Sequence, residues 1–195
     1  MTRKNLTANL CVCLSLAFAF IACDTEYTPK RKAYNRLDLP SHTYQGLPDT
    51  LPYYFEYSKH AILLKDTSYI SEDNWVEIYY PMLKANIHIT YKSLLNNDLK
   101  ALLQDAYFLT SKHQIMASAI NDMVLETPSG KIVSIAELEG DVPTQFQFYT
   151  TDSVKHFFRG ALYFNTKVQP DSLAPAIDFV KEDIIQLLNT LEWRE

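Results

Sequence analysis

All three cysteines of this 195-residue chain lie within its first 23 residues, at Cys11, Cys13 and Cys23. The rest of the chain therefore cannot form an internal disulfide bond or a cysteine-based zinc site. Its fold must instead be stabilised by an apolar core. The composition allows such a core, because 47% of the residues are hydrophobic and only 21% are charged.

The N-terminus has the pattern of a secretory signal. Arg3 and Lys4 precede an apolar run over residues 10–22. This run is shorter than the roughly 20 residues that a membrane-spanning helix needs. We therefore predict that residues 1–22 form a signal peptide.

The run ends in Phe20-Ile21-Ala22-Cys23, which resembles the lipobox of bacterial lipoproteins. Lipid transfer needs a thiol, and signal cleavage needs small neighbouring residues. We predict that Cys23 becomes the lipidated first residue, carrying palmitate-like acyl chains, and that it anchors the protein firmly to a membrane. The alternative is an ordinary signal peptide, or an uncleaved anchor, with a chance cysteine.

Several classes of function are disfavoured by simple counts. The four glycines are isolated from one another, which excludes a phosphate-binding glycine loop. A formal net charge of −5 disfavours nucleic acid as a partner. No two of the five histidines have metal-ligand spacing, and no serine lies in a nucleophile elbow. We therefore predict no enzyme activity, no catalytic residues, no cofactor and no metal site.

The mature chain divides into two predicted parts. Residues 23–52 are polar and punctuated by prolines, as in an extended tether that could reach on the order of 90 Å at about 3.1 Å per residue. An alternative is a docking segment, because Tyr34, Leu37, Leu39 and Tyr44 are apolar for a free linker. Residues 53–195 are predicted to form a single globular domain.

This domain has the pattern of short strands interrupted by two helices. Asn96, Asn97 and Asp98 are cap candidates for one helix, whose apolar residues follow at three- and four-residue spacing from Leu99 to His113. A longer helix should begin near Asp171 and end near Leu191, with an apolar stripe that starts at Leu173. The string Thr127-Pro128-Ser129-Gly130 predicts a hairpin turn. The predicted strands are β-branched and aromatic runs, at 53–57, 61–65, 75–80, 85–91, 119–125, 132–138, 145–150 and 157–164. Because short turns can join adjacent strands, we predict an α+β fold with a mainly antiparallel sheet covered by the two helices.

One segment concentrates polar side chains that could recognise a partner. Asp152 and Ser153 could turn the chain, and His156 and Arg159 lie near the start of the last predicted strand. Asp152, His156 and Arg159 are our candidate partner-binding residues. The alternative is a structural loop, in which Arg159 pairs with a carboxylate and His156 caps a neighbouring group.

Several strings in the chain resemble the GldD family of gliding motility lipoproteins of Bacteroidota. They are YTPK at 27–30, RLDLP at 36–40, YFEY at 54–57, TTDS at 150–153, HFFRGALYF at 156–164, DSLAP at 171–175 and LEW at 191–193. The resemblance extends from Cys23 to Trp193. It implies a component of the gliding motility and type IX secretion apparatus, attached by lipid to a cell-envelope membrane and facing the periplasm. The family supplies no catalytic residues to transfer.

We therefore expect a structural or assembly factor that binds other gliding and secretion proteins of the envelope. The alternative function is a periplasmic module that binds a small ligand or a glycan. We further expect a three-layer α/β/α sandwich similar to the PsbP and Mog1 fold, with helices on both faces of the sheet.

Overall fold

The computed structural model describes residues 37–165 and 170–194. The predicted signal peptide and Cys23 lie outside these residues. The described chain contains eleven strands and two α-helices: β1 (Tyr44–Gly46), β2 (Tyr53–Tyr54), β3 (Glu56–Ser58), β4 (Ile62–Lys65), β5 (Val76–Tyr80), β6 (Ala85–Ser93), α1 (Leu99–Ser111), β7 (Ala117–Glu126), β8 (Ile132–Gly140), β9 (Thr144–Thr151), β10 (His156–Phe164), α2 (Pro170–Asn189) and β11 (Glu192–Trp193). A 3-10 turn, Lys112–Ile115, follows α1.

Seven strands form one sheet in the spatial order β4-β5-β6-β10-β9-β8-β7. Every neighbouring pair in this sheet is antiparallel. This confirms the predicted antiparallel α+β fold. Strand β10 lies at the centre of the sheet, between β6 and β9, and β7 lies at one edge.

A helix cap and a hairpin turn form at positions that the sequence indicated. The Asp98 side chain accepts a hydrogen bond from Lys100 N at 3.0 Å, which caps the start of α1. Between β7 and β8, Gly130 takes a positive φ of 75° and donates its N–H to Thr127 O at 2.8 Å. Glycine adopts this conformation without the steric penalty of a Cβ atom.

The main core lies between one face of the sheet and α2. Side chains from β9 and β10 alternate across the sheet, and those on the core side are fully buried. The predicted apolar stripe of α2 packs against them. Its buried members are Val180, Ile184, Leu187 and Leu188, and Leu191 follows just after the helix.

Helix α1 covers the opposite face of the sheet. The Thr110 hydroxyl of α1 donates to Gln147 Oε1 of β9 at 3.1 Å. Gln147 lies on the face opposite to Phe146 and Phe148, which belong to the core beneath α2. The two helices therefore lie on opposite sides of the sheet and make three layers.

The segment that we assigned to the tether is partly folded onto the domain. Strand β1 pairs with β3, and Leu47 is buried in the main core. Residues from 37 onward belong to the same compact unit, Tyr34–Glu195. The docking alternative therefore describes residues 37–52 better than an extended tether, because their apolar side chains have a core to contact.

Hydrogen bonds to a buried carboxylate hold this segment against α2. His42 Nδ1 donates to Asp183 Oδ1 at 2.7 Å, and the Tyr80 hydroxyl donates to Asp183 Oδ2 at 3.0 Å. The imidazole ring also stacks on Phe179, with ring centroids 4.3 Å apart. Burial and the charge of Asp183 raise the pKa of Tyr44 to about 12. Because Asp183 is only 2% exposed, these hydrogen bonds replace the water that its carboxylate loses on burial.

The predicted strand at residues 53–57 is divided into two. Residues of β2 pair with β11 near the C-terminus, whereas β3 pairs with β1. Neither belongs to the seven-stranded sheet. A short aromatic run cannot reveal which distant strands it will join, because that choice is made by tertiary contacts.

Candidate functional site

Asp152 shapes the turn between β9 and β10. Its Oδ1 atom accepts hydrogen bonds from the backbone N–H groups of Val154, Lys155 and His156, at 3.0, 2.9 and 2.9 Å. Burial alone would raise the pKa of this carboxyl, but the three backbone donors hold its pKa below the usual value. The carboxylate is therefore occupied within the turn.

His156 lies on the core face of β10. It is buried, its Nδ1 is hydrogen-bonded to the Tyr91 hydroxyl at 2.8 Å, and its ring stacks on Trp193 at 4.8 Å between centroids. Burial lowers its pKa, which the charge of Asp152 partly offsets. These contacts make His156 a packed, neutral core side chain.

Arg159 lies on the other face of the same strand. Its Nη2 donates to Gln147 Oε1 at 2.8 Å. No carboxylate oxygen of the described residues lies within 4.0 Å of its guanidinium, so the expected pairing with a carboxylate is not seen there. Burial lowers the pKa of Arg159, which shows that its charge lies in a poorly solvated place.

The three candidate residues therefore do not form one site. Residues three apart in a strand point to opposite faces of the sheet, so His156 and Arg159 are separated by the backbone. The structure brings Asp152 and His156 together through the turn, and it places Arg159 beside α1. The period-2 alternation of the strand could have revealed this separation from the sequence.

A cleft of about 350 Å³ opens beside Arg159, between α1 and the sheet. Gln147, Thr110 and Ser134 supply polar groups to its walls, and Ala106, Ile120, Val124, Ala136 and Phe148 are among the apolar residues that line it. Sequence reasoning missed Gln147. Its signal was the alternation of Gln145, Gln147 and Tyr149 with buried phenylalanines along β9.

A second notable surface is apolar and solvent-exposed. Ala106 is the only buried residue of α1, although the sequence predicted a full apolar face. Strand β7 is an edge strand of ten residues that is largely exposed. We call the exposed apolar residues of α1, of the 3-10 turn with the residue just after it, and of the α1 side of β7 the α1–β7 surface. They are Tyr107, Phe108, Leu109, Ile115, Met116 and Val124.

The described residues contain neither a cluster of metal-binding side chains nor a membrane-spanning helix. Residues 37–165 and 170–194 contain no group of three or more histidine, cysteine, aspartate or glutamate side chains that could hold a metal ion. Within the same ranges, no helix has both the length and the apolar character required to cross a bilayer.

The fold and these surfaces define the class of the protein as a three-layer α+β domain with a cationic cleft and an exposed apolar surface on its α1 side. The chain belongs to the family described as gliding motility lipoprotein GldD, whose sequence model matches residues 24–193. This confirms the family resemblance of the sequence. As a member of this family, the protein is a lipoprotein of the cell envelope that is associated with gliding motility.

Comparison with other proteins adds little to this family assignment. No curated protein matched the chain. Among solved structures, the chain is similar to cyanobacterial PsbP (CyanoP) from Synechocystis sp. PCC 6803, a solution structure. The two are 13% identical, with a TM-score of 0.48, and the alignment covers 82% of this chain and 97% of that one.

Proposed function

We propose that this lipoprotein is a non-catalytic assembly factor of the gliding motility and type IX secretion apparatus. It faces the periplasm and binds other envelope proteins of that apparatus. The observation that carries the proposal is the α1–β7 surface, in which Ile115 is 95% and Val124 69% exposed. The elements that carry these residues contact one another, since the 3-10 turn touches both α1 and β7. Exposed apolar groups on neighbouring elements are typical of protein interfaces.

The edge strand explains how such a partner would bind. An unprotected strand edge offers unpaired backbone N–H and C=O groups, which an extended segment of another protein can complete. Met123 and Val124 are exposed on adjacent positions of β7. We therefore infer a partner that adds an apolar strand to β7 and covers α1.

Lipidation at Cys23 supports the same function. Confining the domain to a membrane surface raises its effective concentration near other anchored components, so that a modest interface suffices. Replacing Cys23 with alanine should release the protein from the membrane without unfolding the domain, because the described core begins after residue 36.

The test is a crosslinking pull-down of the native lipoprotein from membranes, followed by identification of the captured proteins. Wild-type protein should capture gliding or type IX secretion components, and Ile115→Lys should lose them. The matched control is Ile70→Lys, since Ile70 is 58% exposed but lies outside the α1–β7 surface. Equal capture by both lysine variants would refute the role of this surface.

A second function, binding of a small ligand or glycan, is favoured by the cleft beside Arg159. Its volume of about 350 Å³ lies within the range of small-molecule sites, and its walls combine apolar residues with a few polar groups. A thermal-shift screen of envelope glycans and small acids against the full chain tests this function. Val124→Trp, which fills the cleft from an exposed position, should abolish any shift.

A further inference from the structure

The cleft beside α1 contains a cation that the described residues do not neutralise. Arg159 carries five N–H donors, and its one hydrogen bond to a described residue is the bond to Gln147 Oε1. A guanidinium remains charged at any physiological pH. A poorly solvated guanidinium with spare donors is a natural anchor for an anion.

Gln147 adds a second unused donor. Its Oε1 accepts from both Arg159 and Thr110, which sets the orientation of the amide, because Arg159 can only donate. Its Nε2 is buried and has no hydrogen-bond partner among the described residues, and the whole side chain is only 3% exposed. A buried donor without a partner is unusual in a native protein and calls for an acceptor.

The charged groups around the cleft also favour a negatively charged ligand. The pKa of His113, just after α1, is lowered by burial and then by the positive charges of Arg159 and Lys112. One carboxylate, Asp122, also lines the cleft, but it is exposed and lies more than 4.0 Å from the guanidinium. The inner part of the cleft is therefore cationic.

We propose that this cleft binds a small, mostly apolar carboxylic acid, with its carboxylate on Arg159 and its hydrocarbon part against Ile120, Val124 and Ala136. The proposal rests on the second proposed function and names its ligand class. A single guanidinium matches a monoanion, and its planar fork accommodates both oxygens of a carboxylate. A phosphate would need more donors than the predominantly apolar walls provide.

The test is ligand-observed saturation-transfer NMR with the full chain in lipid nanodiscs, and empty nanodiscs serve as the blank. The probes are 4-phenylbutyrate, its neutral analogue 4-phenylbutyramide, and inorganic phosphate. The acid should bind about 10- to 100-fold more tightly than the amide, as expected for a charge-assisted hydrogen bond. Phosphate should bind more weakly than the acid.

Two variants probe the charges of the cleft in opposite directions. Arg159→Gln should reduce the affinity for the acid about 10- to 100-fold and leave that for the amide unchanged. Asp122→Asn should raise the affinity for the acid alone, because it removes a repelling charge from an exposed position. The matched control is Arg194→Gln, since Arg194 binds Pro48 and Asp49 and does not line the cleft.

Each contrary result has a distinct meaning. Equal binding of acid and amide, or tighter binding of phosphate, would overturn the ligand class while leaving the cleft as a binding site. If neither organic probe bound the folded wild-type chain, both the ligand class and the ligand-binding function would be refuted. If Arg159→Gln failed to fold, the Asp122→Asn comparison would still decide whether the ligand is an anion.

Discussion

Gly160 in the centre of the sheet offers a sharp test of the packing. It lies directly opposite Phe148 on the neighbouring strand β9. A Cβ atom added at Gly160 would lie 2.1 Å from Phe148 Cζ and 2.6 Å from Cε1. Carbon atoms in contact are about 3.5–4.0 Å apart, so the ring would have to move by more than 1 Å.

The ring has little room for that movement. Phe148 is 1% exposed, and its ring neighbours those of Phe146 and Phe158. Overpacking of this kind costs about 1–3 kcal/mol, and we expect Gly160→Ala to lie near the upper end. For a domain of this size, that corresponds to a fall in melting temperature of about 6–12 °C.

The assay is urea denaturation of Gly160→Ala, Phe148→Leu and the double variant. Since the smaller leucine relieves the clash, Gly160→Ala should cost at least about 1 kcal/mol less in the Phe148→Leu background. The control is Gly130→Ala, where no atom lies within 4 Å and only the positive φ contributes, about 1–2 kcal/mol. Unchanged stability of Gly160→Ala, or purely additive effects in the double variant, would refute the packing argument.

Two further predictions concern buried ionisable groups. The fold lowers the pKa of His156 from its ordinary 6.5. As the pH drops, the unfolded chain therefore binds a proton at this histidine before the folded chain does. The free energy of unfolding should then fall as the pH drops below about 6.5. In denaturation measured at several pH values, His156→Gln should make the free energy of unfolding depend less steeply on pH. The remaining dependence should come in part from His113, whose pKa is also lowered. An unaltered pH dependence would exclude His156 as its source. Asp183→Ala should cost about 1–3 kcal/mol, because it leaves the buried Tyr80 hydroxyl without its acceptor and leaves His42 with Glu182 alone. Limited proteolysis should then cleave the segment around His42 faster than in wild type, and an unchanged cleavage rate would show that the contact with Asp183 does not hold the segment.

Prediction from the sequence succeeded where the signal is local. Alternation of apolar residues located the strands of the main sheet, and the three- and four-residue spacing located both helices. Asp98 was one of three cap candidates, and the turn at Thr127 was recognised, because capping and turn geometry depend on a few neighbouring residues.

The candidate site was predicted less well. Arg159 was recognised as a functional candidate, and the structure places it in the cleft. It was grouped with His156 because the two are close in sequence, although alternation along a strand sends them to opposite faces. Gln147 was missed because its importance comes from two long-range partners, Thr110 and Arg159.

The sequence by itself determined the two helices, the strands of the main sheet, the antiparallel α+β class and the family, because these depend on short-range periodicity and on contiguous strings. Only the tertiary structure decided that residues 37–52 fold against the domain, that α1 remains largely uncovered, and that Gln147 meets Arg159 beneath it. These features depend on strand register and helix docking between residues far apart in the chain. Burial and charge at such places follow from the sum of many distant contacts, which no local pattern encodes.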